Sequence, residues 1–343
     1  MRVWILQRFF KNVIKTNNFA IVLVSILVIA GSSLTMHLLE PDTFPTVFEG
    51  LWWTMTTVTT VGYGDVSPTT VEGKTFAMFL FIFGIGLIGV LIGKVVNLLS
   101  LYSKWKGEGK LSSKKTNHFV FVGWTDKTER AMAEILEDNQ NAQIVLIDSK
   151  KTNPCELEVD YVQGDASEDA VLLKANVLEA KSVTIFSDDM IEDASLSDGK
   201  TLLVASSVER LSKIHNRNIY TIVEIRKEKS IPNFSHANVD EFVISGETAS
   251  RLLAKATMYN GSSHLFRQLT SRMHGDNIYE VAADPAWSTY RQAFHEILDK
   301  GATLLSNGKE LDINRRLDEK IPSDAKLYII CDKHTYESKF KVG

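Results

Sequence analysis

Residues 51–65, LWWTMTTVTTVGYGD, decide the fold. They lie partly within an apolar, aromatic segment, 44–59, whose 16 residues are too few to cross a bilayer as a helix, which takes about 20. A re-entrant helix over 45–59 is the alternative, and Pro45 suits its first turn. The segment stops where Thr60-Val61-Gly62-Tyr63-Gly64-Asp65 begins. Gly62 and Gly64 admit the positive-φ conformations that a Cβ disfavours, so handedness can alternate along the chain and turn successive carbonyls to one side. One such strand cannot enclose an ion. Four copies around an axis stack their carbonyls into oxygen rings able to replace the hydration shell of a dehydrated cation. Irregular backbone at membrane depth is tolerated where it is buried in protein or lines an aqueous path, and such rings meet that condition.

Outward from this loop, residues 19–39 contain no charge and match the length of a membrane span. A signal peptide is the competing reading, with Arg2, Arg8, Lys11 and Lys15 as its basic region and 30–32 as a small-residue cleavage zone. A second apolar span at 75–102, interrupted only by Lys94, argues against it. At 1.5 Å per residue that span reaches about 42 Å, longer than a ~30 Å hydrocarbon core. Between the spans, residues 40–73 hold five acids and no Lys or Arg, whereas both outer flanks are basic. The positive-inside rule then places both termini in the cytoplasm of a multi-pass protein of the cell membrane.

Composition alone misleads. The 343 residues are 44% hydrophobic with a mean hydropathy of −0.04, an average that reads as a soluble enzyme. Residues 1–117 carry a net charge of +5 and residues 118–343 a net of −9. The acidic C-terminal part argues against a nucleic-acid polymer as partner. Two cysteines, Cys155 and Cys331, provide neither a disulfide framework nor a CxxC metal site.

The segment LWWTMTTVTTVGYGD resembles the pore helix and selectivity filter of potassium channels, and residues 1–105 resemble the two-transmembrane prokaryotic class. The resemblance implies a homotetramer in the lipid bilayer, with Thr60, Val61, Gly62, Tyr63 and Gly64 holding K+. It also implies that Trp52 and Trp53 form an aromatic cuff and that Asp65 sits at the outer mouth. Some relatives carry a glutamate behind the filter, where this chain has Thr56. In the second span, the family places a gating hinge at Gly84. Glycines such as Gly89 and Gly93 serve equally well for close helix packing, and both readings stay open.

Residues 106–117 are polar, basic and Gly/Ser-containing, which marks a linker. Beyond them the pattern alternates. Strands are expected at 119–122, 143–147, 160–163, 182–186 and 220–224, with helices at 127–138, 170–175 and 196–214 between them, the signature of a doubly wound parallel sheet. A small α+β lobe follows, with strands near 302–305 and 327–331 around a helix at 288–300. This part resembles the Rossmann-like RCK domain (regulator of potassium conductance), with an N-terminal lobe at 118–262 and a C-terminal lobe at 263–343. The family implies pairing through the middle helices into a ligand-gated ring, built from four chains or enlarged to eight by extra soluble copies.

The regulatory ligand is either a nucleotide, a cyclic dinucleotide included, or a divalent cation. For the first, Gly123 keeps one position of the dinucleotide fingerprint while Thr125 and Thr128 replace the other glycines. Asp148 ends the second strand, where a ribose hydroxyl is bound, and Asp165 follows the third; helix capping explains both aspartates equally well. For the second, the calcium-site positions of related channels align with Phe186, Glu224 and Arg226, of which only Glu224 is a carboxylate. Asp188, Glu192 and Glu224 are the candidate oxygen ligands, against a solvated acidic helix start. The histidines are scattered and suggest no acid/base pair, so conduction is expected and catalysis is not. A membrane-anchored NAD-dependent oxidoreductase and the regulatory subunit of a separate transporter are the competing classes.

Overall fold

Three helices shape the first part of the chain: α1 (Asn18–Leu39), α2 (Val47–Val58) and α3 (Val71–Gly107). The computed structural model describes residues 18–271 and 275–340, so the basic residues Arg2 to Lys15 lie outside the described residues. α1 and α3 are long and apolar enough to cross a membrane. The chain divides into two compact units, residues 1–105 and 106–343.

α3 runs 37 residues, beyond the expected 75–102 at both ends. Thr70 Oγ1 accepts the Gly73 amide and so starts the helix earlier, and Lys94 does not interrupt it because lysine is a good helix former. α2 starts later than expected. Thr46 is its N-cap, accepting the Glu49 amide, so Pro45 precedes the helix and is not in its first turn. Met36, Phe44, Trp53, Val58, Ala77 and Leu80 form a small core among the three helices. The approach is close at Gly50, where a Cβ would lie 2.4 Å from the Ser33 carbonyl oxygen.

In the second unit six parallel strands form one sheet in the order β3-β2-β1-β4-β5-β6. They are β1 (His118–Val122), β2 (Ile144–Asp148), β3 (Asp160–Gln163), β4 (Ala180–Ile185), β5 (Thr221–Ile225) and β6 (Glu241–Ile244). Alternate apolar residues serve the two faces. Val120, Val145, Val183 and Val223 pack against Val204, Val208 and Leu211 of α6 (Ala194–His215), while Phe121, Ile144 and Leu146 meet Met132 of α4 (Asp126–Asp138). α5 (Asp169–Lys174) connects β3 to β4. The edge strand β6 was not expected: its four residues include an exposed Glu241, and a short half-exposed run gives a weak strand signal. β6 leads into α7 (Ser245–Met258) and α8 (Ser262–Thr270), neither of which buries a residue.

The last elements make an antiparallel sheet in the order β7-β9-β8, from β7 (Asn277–Ala282), β8 (Thr303–Asn307) and β9 (Lys326–Cys331). α9 (Tyr290–Asp299) buries Tyr290, Ala293 and Ile297 in the same cluster as Leu327 and Ile329. A short α10 (Lys333–Lys339) follows β9.

The expected linker is not a free tether. Residues 106–107 end α3, and beyond them the Gly109 carbonyl accepts the Gln163 amide at 3.0 Å while the Ser113 and Asn117 amides donate to Lys174 and Glu179 at 2.8 Å. Polar composition concealed this docking because the contacts are backbone and polar side-chain bonds, such as Ser113 Oγ to Asp160 and Lys115 Nζ to the Ile144 carbonyl.

Candidate functional site

The loop after α2 alternates as the glycine spacing allows. Thr60, Gly62 and Gly64 have φ of 63°, 54° and 74°, and neither Val61 nor Tyr63 is positive. The Val61 and Gly62 amides both turn back to the Thr56 carbonyl, at 2.9 and 3.0 Å, and the Thr60 amide reaches Thr57 at 3.0 Å. The amides of Thr60, Val61 and Gly62 are thus satisfied by α2. Thr56 thus contributes its backbone oxygen to the loop, and its hydroxyl donates locally to the Trp53 carbonyl.

The two tryptophans part company. Trp52 stacks on Tyr63 with ring centroids 5.7 Å apart and planes 3° from parallel, and its Nε1 donates to Asp65 Oδ2 at 2.8 Å. Trp53 points the other way, buried against Phe44 at 5.6 Å in the three-helix core. Within one chain, Trp52 thus braces the 60–64 loop and Trp53 the three-helix core, as adjacent helical residues about 100° apart must face different ways.

Gly84 lies within an uninterrupted α3, buried where a Cβ would come 2.8 Å from Val58 Cγ2. This geometry supports the packing reading. Around Gly89 and Gly93 a Cβ would meet nothing within 4 Å in the single chain.

Glu40, which the sequence did not single out, is buried directly after α1. Its two carboxylate oxygens accept the amides of Thr69 and Thr70, both at 2.9 Å, and both threonine hydroxyls. Burial pushes the carboxyl up, but these hydrogen bonds outweigh it and hold the pKa down at about 2. A lone acid ending an uncharged span was the available signal.

In the second unit, a cavity of about 590 Å³ opens at the carboxyl ends of β1, β2 and β4. The strand order reverses between β1 and β4, which is where open α/β sheets bind ligands. Gly123, at φ 90°, and Asp148 both line it. Asp148 accepts the Trp124 amide at 2.9 Å and the Lys150 amide at 2.9 Å. Asp165 does not join them. It is exposed and accepts the Ser167 amide and hydroxyl, which hold its carboxyl below the usual range. It closes a local turn and does not cap α5, whose N-cap is Glu168.

The expected divalent site also needs correction. Asp188 pairs with Lys200 at 2.7 Å, and that ammonium holds its carboxyl below the usual range. Glu224 is buried against Lys127 Nζ at 2.7 Å and accepts the Ser187 amide at 3.0 Å. Glu192 is exposed and makes neither contact. Among the described residues no group of three or more His, Cys, Asp or Glu is placed to hold a metal ion. Lys127 supplies the missing cation: burial lowers its pKa, but Asp189 at 2.8 Å and Glu224 raise it further than burial lowers it. Arg226 completes the neutralisation, donating to the Ile191 carbonyl at 2.5 Å and the Asp188 carbonyl at 2.8 Å.

A short re-entrant helix ending in alternating backbone, between two membrane-length helices and followed by a parallel-sheet domain, defines a pore-loop ion channel with a Rossmann-like regulatory domain. Family comparisons bear on the same two parts. The ion channel family matches residues 21–100, and the TrkA-N domain matches 119–245. The calcium-gated potassium channel TvoK of Thermoplasma volcanium is 31% identical over 266 residues, covering 75% of this chain and 74% of TvoK. YugO of Bacillus subtilis, classed among potassium channels, is 31% identical over 219 residues, covering 64% of this chain and 65% of its own length. Among solved structures, the GsuK channel covers 93% of this chain and 58% of that one at a TM-score of 0.49 and 14% identity, too distant to transfer any residue's role. The chain belongs to the prokaryotic potassium channels that carry an RCK domain.

Proposed function

We propose that four copies of this chain form a potassium-selective pore in the cell membrane, gated by a ligand that binds a ring of their RCK domains. The observation that carries the reading is the alternation of positive φ at Thr60, Gly62 and Gly64, with the Val61 and Gly62 amides held by Thr56. That arrangement leaves a column of carbonyls from residues 60–64 to contribute one quarter of each K+ site. Trp52 and Asp65 brace the column from the side, and both chain termini face the cytoplasm. The chain conducts and carries out no catalytic step.

Exposed apolar residues on the middle helices, Leu253, Met258, Leu265 and Phe266, support self-association of the sensor halves there. Four chains supply four sensor domains, and an eight-membered ring needs four further soluble copies. For the ligand, TvoK is named as calcium-gated, but the carboxylates of this chain are matched internally by Lys127, Lys200 and Arg226. The cavity at Gly123 and Asp148 favours a nucleotide-type regulator instead.

Flux into liposomes holding the purified full-length chain tests the pore reading. Uptake of rubidium and potassium with exclusion of sodium is expected. No uptake, or sodium passing equally well, rejects it.

A further inference from the structure

We infer that the β1–β4 cavity takes a nucleoside bearing at most one phosphate and turns dinucleotides away. The inference rests on reading the second unit as a ligand sensor and concerns which ligand that sensor admits.

A dinucleotide needs its pyrophosphate seated on the turn between β1 and α4, where glycines expose backbone N–H groups to the phosphate oxygens. Here four of the turn's amides are already used, and those of Asp126 and Lys127 at the start of α4 remain. The Gly123 amide donates to the Ile147 carbonyl at 2.9 Å and the Trp124 amide to Asp148 Oδ2 at 2.9 Å. The Thr125 amide donates to Thr128 Oγ1 at 3.2 Å and the Thr128 amide to Thr125 Oγ1 at 3.3 Å, a reciprocal capping box. Thr128 Oγ1 in turn donates to the Gly123 carbonyl at 2.8 Å, fixing the box to the glycine. The threonines that replace the fingerprint glycines thus bond each other's amides, and the two amides left at the start of α4 suit one phosphate rather than a pyrophosphate.

Charge points the same way. Four carboxylates line the cavity; Asp189 is paired with Lys127 and Arg226, which leaves Asp126 and Asp148 against Lys150. Lys200 is already paired with Asp188 at 2.7 Å. A polyphosphate entering this site meets repulsion that a neutral nucleoside does not. Lys150 lies 5.9 Å from the Trp124 ring centroid and has no carboxylate partner among the described residues, so one phosphate can be matched and a chain of them cannot.

The remaining lining suits a nucleoside. Each Asp148 oxygen accepts one amide and keeps a lone pair, so the carboxylate can still receive ribose hydroxyls. Trp124 and Phe186 provide aromatic surface for a base beside Ile185 and Val204.

Microcalorimetry on the full-length chain in detergent, with adenosine, AMP, ATP and NAD+ as probes, tests the inference. AMP and adenosine should bind at least about tenfold more tightly than NAD+ or ATP, the scale of one or two charge-assisted hydrogen bonds lost. Asp148→Asn should weaken AMP by about tenfold. Thr125→Gly combined with Thr128→Gly frees the turn and should narrow the gap between AMP and NAD+. NAD+ or ATP binding as tightly as AMP in the unmodified chain overturns the inference while leaving the sensor reading intact. No heat with any of the four probes overturns both, and potassium flux in the same preparation reports on the pore separately.

Discussion

Two short turns in this chain follow helix-to-loop or strand-to-helix transitions, contain glycine, and use their backbone in opposite ways. At 60–64 the amides of Thr60, Val61 and Gly62 are satisfied by the preceding helix. At 123–128 the amides of Gly123, Trp124, Thr125 and Thr128 are taken by a carbonyl, an aspartate and threonine hydroxyls, leaving those of Asp126 and Lys127. On the readings proposed above, the first turn offers carbonyls to a cation and the second has few donors left for an anion. Glycine is therefore informative only together with the partners of its neighbours' N–H groups. A positive φ at Gly62 and at Gly123 says the same thing about sterics and nothing in common about ligands.

Substitutions can break this contrast, beginning with the largest effect. Gly62→Asp places a side chain and a charge where φ is positive and the column must stay open, so flux should fall to background with the chain still inserted in liposomes; retained selective flux would falsify the role given to this loop. Glu40→Gln removes the charge that four hydrogen-bond donors share, and a loss of about 2 kcal/mol is expected in the thermal unfolding of the pore in detergent. The sign of its pH dependence follows from the depressed pKa. With the folded carboxyl held at about 2 against an ordinary 4.5, its contribution is complete above pH 4.5 and is lost as pH falls toward 2. Melting of the wild type should drop through that window and melting of the variant should drop less.

Gly84→Ala should cost about 1–2 kcal/mol through overpacking against Val58 and should lower the open probability, with selectivity unchanged. Adding Val58→Ala sharpens the test. Recovery of stability and gating together identifies packing as the cause, whereas a gating defect that persists with stability restored identifies a hinge. The smallest effect belongs to the other turn. Thr125→Ala removes an N-cap and should lower the stability of the second unit by about 1 kcal/mol without altering potassium selectivity, read by urea unfolding beside flux.

Much of the architecture was legible because hydrophobic periods are local. The uncharged run at 19–39, the apolar run around Lys94 and the strand–helix alternation after His118 all carry their meaning in adjacent residues. The 60–64 loop was legible for a related reason: glycine at alternate positions states a backbone conformation directly. What the sequence withheld depends on contacts across distance. Glu40 meets Thr69 and Thr70 some thirty residues on, and Lys127 meets Glu224 nearly a hundred residues away. The acids at 188, 192 and 224 therefore looked available for a metal until the lysines that neutralise two of them were in place. β6 and the docked segment after α3 were hidden differently, because backbone hydrogen bonds leave little trace in composition.

The Glu40 contact also bears on how such a pore comes to exist. By holding Thr69 and Thr70, the carboxylate draws the two ends of the 40–70 loop together and closes it into a ring. Loop closure is an entropic cost that grows slowly with length, and here it is met inside one polypeptide. The turn at 60–64 is shaped within that ring by Thr56 and Trp52 of the same chain. Each subunit can thus arrive at assembly with this loop already folded, and the meeting of copies becomes a docking of finished parts.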